Sequence, residues 1–113
     1  YVPGDYEFDV PKKLIDLYNK KDYGIYKDKT GDVPVAFTAT NHTTGGNSGS
    51  PALDAYGNLI GLNFDRQWEG TMSDINYDPR FSRNIMVDTK YILFIVDKFA
   101  NSKWLIDEMK VVK

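Results

Sequence analysis

The segment Thr44-Gly45-Gly46-Asn47-Ser48-Gly49-Ser50-Pro51 constrains this chain more than any other. It places three glycines around a serine, directly before a proline that can start a strand. Because glycine has no side chain to obstruct the turn, the backbone amides of Gly46 and Ser48 can be directed toward one point. Amides arranged in this way stabilise the oxyanion that forms when a serine hydroxyl attacks a carbonyl carbon. The segment therefore predicts a nucleophile loop of the kind found in serine peptidases.

Two serines of this loop are candidate nucleophiles. Ser50 directly precedes Pro51 at the entry to a strand, where its hydroxyl is suited to a local hydrogen bond. Ser48 lies in the glycine-rich part, so we assign it as the nucleophile and Gly46 as an oxyanion-hole residue, with Asn47 shaping the turn. The competing interpretation is a simple glycine-rich turn. The proline and the hairpin pattern that follows favour the peptidase.

The remaining pattern predicts mainly β structure with a C-terminal α-helix. Short strands are expected at 33–40, 52–53, 59–64 and 84–87, followed by an amphipathic helix that Asp88 or Thr89 can cap. A shorter helix with Pro11 in its first turn precedes them. This order suits the C-terminal barrel of a chymotrypsin/trypsin-like double β-barrel. We expect a single unit spanning 1–113, made of an irregular and helical lead-in (1–32), barrel strands with the nucleophile loop (33–88) and a C-terminal helix (89–113).

Composition excludes several classes of function. The 113 residues, 42% of them hydrophobic, are enough for one domain with a core. A net charge of −2 and the lack of a basic run argue against a nucleic-acid or membrane-surface partner. The longest apolar run, 91–96, is too short to span a bilayer. No cysteine is present, so there is no disulfide framework.

His42 is the single histidine, and it lies six residues before Ser48. A general base must reach the serine oxygen while a carboxylate orients it. In chymotrypsin-like folds that histidine and its aspartate come from earlier in the chain, so we interpret His42 as a structural loop histidine. We therefore expect this chain to be part of a longer peptidase and to be catalytically silent, or nearly so, by itself.

The chain resembles the last segment of the bacterial dipeptidyl peptidases of serine peptidase family forty-six. The residues that carry this resemblance are 41–51, 57–66, 68–70, 74–77, 83–88, 91–99 and 105–109. Members release dipeptides from free N-termini and combine a double β-barrel with an inserted helical domain. The resemblance implies a periplasmic or cell-surface location in a Gram-negative bacterium. It also implies that the remainder of the peptidase chain supplies the other barrel, the helical domain and the catalytic histidine and aspartate.

Asp65 and Arg66 end the strand that follows the nucleophile loop. Such a strand lines the primary specificity pocket in this fold, and an arginine fork matches a carboxylate bidentately. The resemblance implies that Arg66 selects Asp or Glu before the cleaved bond, where glycine would accompany hydrophobic residues. It further implies that Asp65 binds the free N-terminal amine of the substrate. From the residues alone, an ordinary surface ion pair is the alternative.

The expected partners are peptide substrates, with no cofactor, metal, nucleic acid or membrane, and a homodimeric parent is compatible with the resemblance. Two alternatives remain open. A non-catalytic barrel that binds peptide ends or serves as a scaffold is supported by the missing base. Within the enzymes, a hydrophobic-specific dipeptidyl peptidase or an endopeptidase is the other possibility.

Overall fold

The computed structural model describes residues 1–112. They form two compact units, which are described separately. One unit comprises Pro34–Ile92 together with Val112, and it contains the nucleophile loop and all of the strands found in the described residues. The other comprises Tyr1–Val33 and Leu93–Val111 and is helical.

Four antiparallel strands form the sheet of the first unit. They are β1 (Ala36–Ala39), β2 (Pro51–Leu53), β3 (Leu59–Arg66) and β4 (Asn84–Asp88). The spatial order β1-β4-β3-β2 leaves β1 and β2 at the two edges of the sheet. A 3₁₀-helix, Trp68–Asp74, lies in the connection between β3 and β4. The four predicted strands are confirmed, and the first begins two residues after Pro34 at an edge, where a missing backbone donor is tolerated.

Most of the buried side chains in this unit are polar. Met86 is the one large apolar side chain buried there among the described residues, whereas Asn63, Ser73, Ser82 and Asn84 are all buried. Large apolar side chains are exposed along and beside the sheet, at Leu53, Leu59, Ile60, Phe64, Trp68 and Phe81. Burying apolar surface is the main favourable term in folding. The exposed apolar side chains of this sheet are therefore suited to packing against a further layer of structure.

The second unit is built from short helices. Helix α1 is Lys12–Lys20, a 3₁₀-turn is Gly24–Tyr26, and α3 is Lys103–Asp107. Helix α2 (Thr89–Phe94) begins in the first unit, and its last two residues belong to the second, where it continues into a π-helix (Ile95–Phe99). Its buried apolar side chains are Leu17, Tyr23, Tyr26, Phe94 and Ile106. The Tyr26 hydroxyl donates to Asp97 Oδ2 at 2.7 Å, and burial together with this bond raises the Tyr26 pKa.

Two details of the predicted helix starts can be compared with the structure. Asp88 Oδ1 accepts from the Lys90 amide at 2.7 Å, which confirms the predicted cap of α2. The prediction that Pro11 lies inside the first turn of α1 is wrong by one residue. Pro11 is the N-cap, because its ψ of 132° is extended, and the helix begins at Lys12.

Gly61 in the middle of β3 is required by its neighbours. A Cβ built there would lie 2.7 Å from the Val87 carbonyl oxygen and 2.8 Å from the Phe37 ring. Backbone oxygen cannot move aside cheaply, so we expect Gly61→Ala to destabilise the protein by about 1–3 kcal/mol. Thermal unfolding of the two proteins measures this. Gly45→Ala is the control, since a Cβ there meets nothing within 4 Å, and equal losses in both variants would contradict the prediction.

Among residues 1–112, no helix combines the length and the apolar character needed to cross a lipid bilayer.

Candidate active site

The nucleophile loop is a double turn whose geometry depends on glycine. Gly46 has φ of +94° and Gly49 has φ of +83°, in the left-handed region that other residues adopt only with strain. Asn47 ties the loop to itself, since the Thr44 amide donates to Asn47 Oδ1 at 2.7 Å and the Asn47 amide donates to the Thr44 carbonyl at 3.2 Å. Ser48 stands exposed between the two left-handed glycines.

The amides that we assigned to the oxyanion hole are free. Within residues 1–112, neither the Gly46 amide nor the Ser48 amide donates a hydrogen bond to another group. A backbone donor left available in an otherwise bonded loop is what an oxyanion hole requires, because it can then bond the charge that develops in the transition state. The geometry is therefore compatible with the predicted roles of Ser48 and Gly46, which stay predictions.

Asn63 of β3 fixes this loop to the sheet. Its carbonyl accepts from the Gly49 amide at 2.7 Å, and its own amide donates to the Ser50 carbonyl at 2.9 Å. Its side chain adds a third link, because Nδ2 donates to the Asn47 carbonyl at 3.2 Å. The residues on both sides of Ser48 are thus bonded to one strand residue.

Asn63 is itself held by Asn84 of β4. Asn84 is 1% exposed, and its Nδ2 donates to Asn63 Oδ1 at 3.0 Å. The Asn84 Oδ1 is buried with no hydrogen-bond partner among the described residues. Sequence reasoning missed both asparagines. The available signal was a polar amide in each of two otherwise apolar strands, a pattern that favours a buried hydrogen-bonded pair.

We expect Asn63→Ala to slow catalysis and to destabilise the fold. The change leaves the buried Asn84 amide unpaired, a loss of about 1–3 kcal/mol, and it frees the residue preceding Ser48. In the full-length protein that contains this chain, kcat is expected to fall about 10-fold or more, because small misplacements of a nucleophile are costly. Steady-state kinetics and thermal unfolding measure the two effects. Asn58→Ala, which removes an asparagine bonded only within the turn at Asp54, serves as the control, and an equal fall in its kcat would contradict a specific role for Asn63.

A bulge in β3 determines which side chains share a face of the sheet. Asn63 pairs with Met86, yet Asp65 already pairs with Ile85, so Phe64 is the extra residue. In a regular strand Asn63 and Asp65 would share a face, because side chains alternate. The bulge shifts this alternation, and Arg66, paired with Asn84, lies on the face that carries Asn63 and Asn84. Asp65 lies on the opposite face.

Arg66 is engaged by the 3₁₀-helix that follows β3. Its Nη1 and Nη2 donate to the two carboxylate oxygens of Asp74 at 2.6 and 2.7 Å, and Nη1 also donates to Ser73 Oγ at 3.2 Å. The bond to Arg66 holds the Asp74 pKa below its usual range, and it raises the pKa of the guanidinium. The Asp65 carboxylate instead accepts from the Arg66 amide at 2.8 Å. Among the described residues, the ion pair of Arg66 is therefore formed with Asp74 and not with Asp65.

A shallow polar depression lies beside Arg66. Its lining residues are Asn41, Thr43, Arg66, Gly70, Ser73, Ser82, Arg83 and Asn84. The lining is polar and contains two arginines, Arg66 and Arg83. The residues 1–112 contain no cluster of three acidic or histidine side chains able to hold a metal ion.

His42 is bonded to the same 3₁₀-helix. Its Nε2 lies 2.8 Å from the Ser73 carbonyl oxygen, and since a carbonyl only accepts, this nitrogen is the donor. The His42 ring lies 4.9 Å from the Tyr77 ring, and the Tyr77 hydroxyl donates to the Thr40 carbonyl. A ring nitrogen committed to a backbone carbonyl fits the interpretation of His42 as a structural histidine.

Strand β3 brings the two predicted functional regions together. It carries Asn63, which anchors the nucleophile loop, and Arg66, which lies three residues later on the same face. A serine loop with free amides, anchored by a strand that ends in a cation, is a feature of a peptidase with a charged specificity pocket.

Comparison with known proteins agrees with this class. The sequence profile of the Peptidase S46 family matches residues 1–111, and the chain belongs to this family. It is 75% identical over 99% of its length to the Asp/Glu-specific dipeptidyl-peptidase of Flavobacterium psychrophilum. It is 46% identical over its whole length to dipeptidyl-peptidase 7 of Capnocytophaga gingivalis. In each case it spans only 16% of the relative.

The structural comparison gives the same result. The chain superposes on a crystal structure of Porphyromonas endodontalis DPP11 in complex with the dipeptide Arg-Asp, with a TM-score of 0.93 and 53% identity. The match covers 96% of this chain and 16% of the DPP11 chain. The small sheet with its helices thus matches a part of the DPP11 structure.

Proposed function

We propose that the full-length protein containing this chain, called the parent below, is a serine-type dipeptidyl peptidase that releases N-terminal dipeptides with Asp or Glu before the cleaved bond. The observation that carries the proposal is the placement of Arg66 on the strand that anchors the Ser48 loop. The chain is 75% identical to a Flavobacterium psychrophilum protein that is named Asp/Glu-specific dipeptidyl-peptidase. That name supports the same specificity for the parent.

In the proposed mechanism, Ser48 Oγ attacks the carbonyl carbon of the second peptide bond as a base removes its proton. The amides of Gly46 and Ser48 bond the oxyanion that forms. The base then returns the proton to the leaving amine, and water hydrolyses the acyl-enzyme to release the dipeptide. Neither cofactor nor metal is part of the proposal.

Specificity follows from two charges at the end of β3. The Arg66 guanidinium pairs with the acidic side chain that precedes the cleaved bond. We assign Asp65 to the free N-terminal ammonium of the substrate, which would limit cleavage to the second bond. Asp65 and Arg66 are adjacent at the end of β3, the strand that anchors the Ser48 loop.

The base and its orienting carboxylate are proposed to come from the rest of the parent chain. His42 is already bonded to the Ser73 carbonyl. The exposed apolar side chains on the β1–β4 sheet support its assignment as the C-terminal barrel of a chymotrypsin-like double β-barrel, completed by the other barrel and joined to a helical domain. A periplasmic or cell-surface location and a homodimeric parent belong to the same proposal.

The test uses the parent with fluorogenic dipeptide substrates. Substrates ending in Asp or Glu are compared with the same peptides ending in Asn or Gln, and each is assayed with a free and with a blocked N-terminus. We expect cleavage only of free acidic peptides and fluorophosphonate labelling at Ser48. Cleavage of blocked peptides would indicate an endopeptidase, and equal cleavage of the Asn and Gln peptides would contradict the acidic specificity. Faster cleavage of peptides ending in Leu or Phe would indicate the hydrophobic-specific subtype. A parent that neither cleaves nor labels would favour a non-catalytic peptide-binding barrel.

A further inference from the structure

Arg66 uses only part of its guanidinium in the contacts that the structure shows. The fork to Asp74 takes one hydrogen from each of Nη1 and Nη2, and the second Nη1 hydrogen bonds Ser73 Oγ. The guanidinium has five N–H donors in a fixed plane. The two that remain are Nε–H and the second Nη2–H, and within residues 1–112 no acceptor contacts either.

These two remaining donors form one edge of the plane. A guanidinium offers an end-on edge made of its two Nη groups and a side-on edge made of Nε and one Nη, and each edge matches one carboxylate bidentately. Asp74 occupies the end-on edge. The side-on edge is left with the geometry that a second carboxylate requires.

We propose that Asp74 is a positioning residue for specificity: it holds the end-on edge of Arg66 so that the side-on edge faces the acidic side chain of the substrate. This inference rests on the proposed function. The Arg66–Asp74 ion pair then stays intact when the substrate binds, and the substrate carboxylate bonds the free edge of Arg66 without displacing Asp74.

The placement of Asp74 is itself well supported. The preceding residue, Ser73, is 5% exposed, accepts from His42 at 2.8 Å through its backbone carbonyl and accepts from Arg66 through its hydroxyl. The 3₁₀-helix is thus bonded at its end to two separate elements. A carboxylate on such an anchored helix can restrict the long arginine side chain, which otherwise has many rotamers.

Removing Asp74 has two opposing effects. Arg66 loses its orientation, which weakens binding of an acidic substrate, and the pocket loses a negative charge, which strengthens binding. The side chain of Asp74 is 46% exposed, so water screens its charge at the substrate. We therefore expect the loss of orientation to dominate when residue 66 is arginine.

Lysine separates the two effects, because its ammonium is a compact charge with no second edge. In an Arg66→Lys parent, Asp74 is expected to form an ion pair with the lysine ammonium, so that few of the ammonium hydrogens remain to bond the substrate carboxylate. Removing Asp74 from that background should then release the ammonium and improve the cleavage of acidic peptides. The same substitution is expected to act in opposite directions in the two backgrounds.

The measured quantity is the ratio of kcat/KM for a dipeptide substrate ending in Asp to that for its Asn counterpart. We expect Asp74→Ala to lower this ratio about 5-fold, the effect of one well-placed hydrogen-bonding group, through KM of the Asp substrate and with kcat on the Asn substrate unchanged. Adding Asp74→Ala to Arg66→Lys should raise the ratio by a similar factor. Asp78→Ala is the matched control, because Asp78 forms an ion pair with Arg80 in the same connection.

Other outcomes overturn the inference. A ratio that rises in both backgrounds would make Asp74 a competitor of the substrate, and a ratio that changes in neither would make it an ordinary surface partner. A parent with no acidic preference before mutation overturns the proposed function as well. If the variants do not fold, a crystal structure of the parent with a product dipeptide ending in Asp decides the question. The product carboxylate is expected on Nε and Nη2 with the Asp74 fork intact, and a displaced Asp74 would contradict the inference.

Discussion

Ser48→Ala in the full-length parent is expected to abolish dipeptide release, with kcat lower by about 10⁶-fold, as when a serine nucleophile is removed from other serine peptidases. The reason is that the oxyanion amides and the substrate-binding charges remain, but no atom is left to form the acyl-enzyme. Substrate binding should persist, so KM is expected to change little. Burst kinetics, steady-state rates and fluorophosphonate labelling measure the effect.

Ser50→Ala is the matched control within the same loop. Both its backbone groups are bonded, the amide to the Asn47 carbonyl at 3.0 Å and the carbonyl to the Asn63 amide at 2.9 Å, and neither bond involves the hydroxyl. We expect Ser50→Ala to keep most of the activity and all of the labelling. Loss of labelling in Ser50→Ala with labelling retained in Ser48→Ala would reverse the assignment of the nucleophile.

The loop itself was predictable because its chemistry is local. Three glycines and a serine within a few residues determine which backbone conformations are accessible, and the structure has two of those glycines at positive φ. The strands were predictable for a similar reason, since each is a short run of β-favouring residues between turn residues. In the turn between β2 and β3, Gly57 also has a positive φ, of +83°.

The support of the loop was not predictable, because it depends on contacts between distant residues. Asn63 and Asn84 are 21 positions apart and meet only after β3 and β4 pair. By its spacing alone, Asp74 is indistinguishable from solvated loop charge, and nothing in the sequence indicates a fork to Arg66. The bulge at Phe64 explains why. Simple alternation along β3 would have placed Arg66 on the face opposite Asn63, and the extra residue reverses that result.

Arg66→Gly is the second change for which we expect a large effect, a fall of about 10²-fold in kcat/KM for substrates with Asp or Glu before the cleaved bond. Two causes act together. The substrate carboxylate loses its bidentate partner, and Asp74, no longer paired, presents a negative charge to it. Substrates with a hydrophobic residue at that position should be cleaved as well as before or better, because glycine enlarges the pocket and removes a charge.

The change in specificity is measured by comparing kcat/KM for acidic and for hydrophobic dipeptide substrates in the unmodified parent and in the Arg66→Gly parent. Arg80→Gly is the control, because it also removes an arginine that pairs with an aspartate, Asp78 at 2.6 Å, in the same connection. Its specificity should be unchanged, so a general effect of losing a surface arginine can be recognised. If Arg66→Gly still cleaves Asp and Glu substrates as efficiently as the unmodified parent, the assignment of the pocket is wrong. In that case the ion pair to Asp74 serves the fold alone, since the cation that it orients would have no part in choosing the substrate.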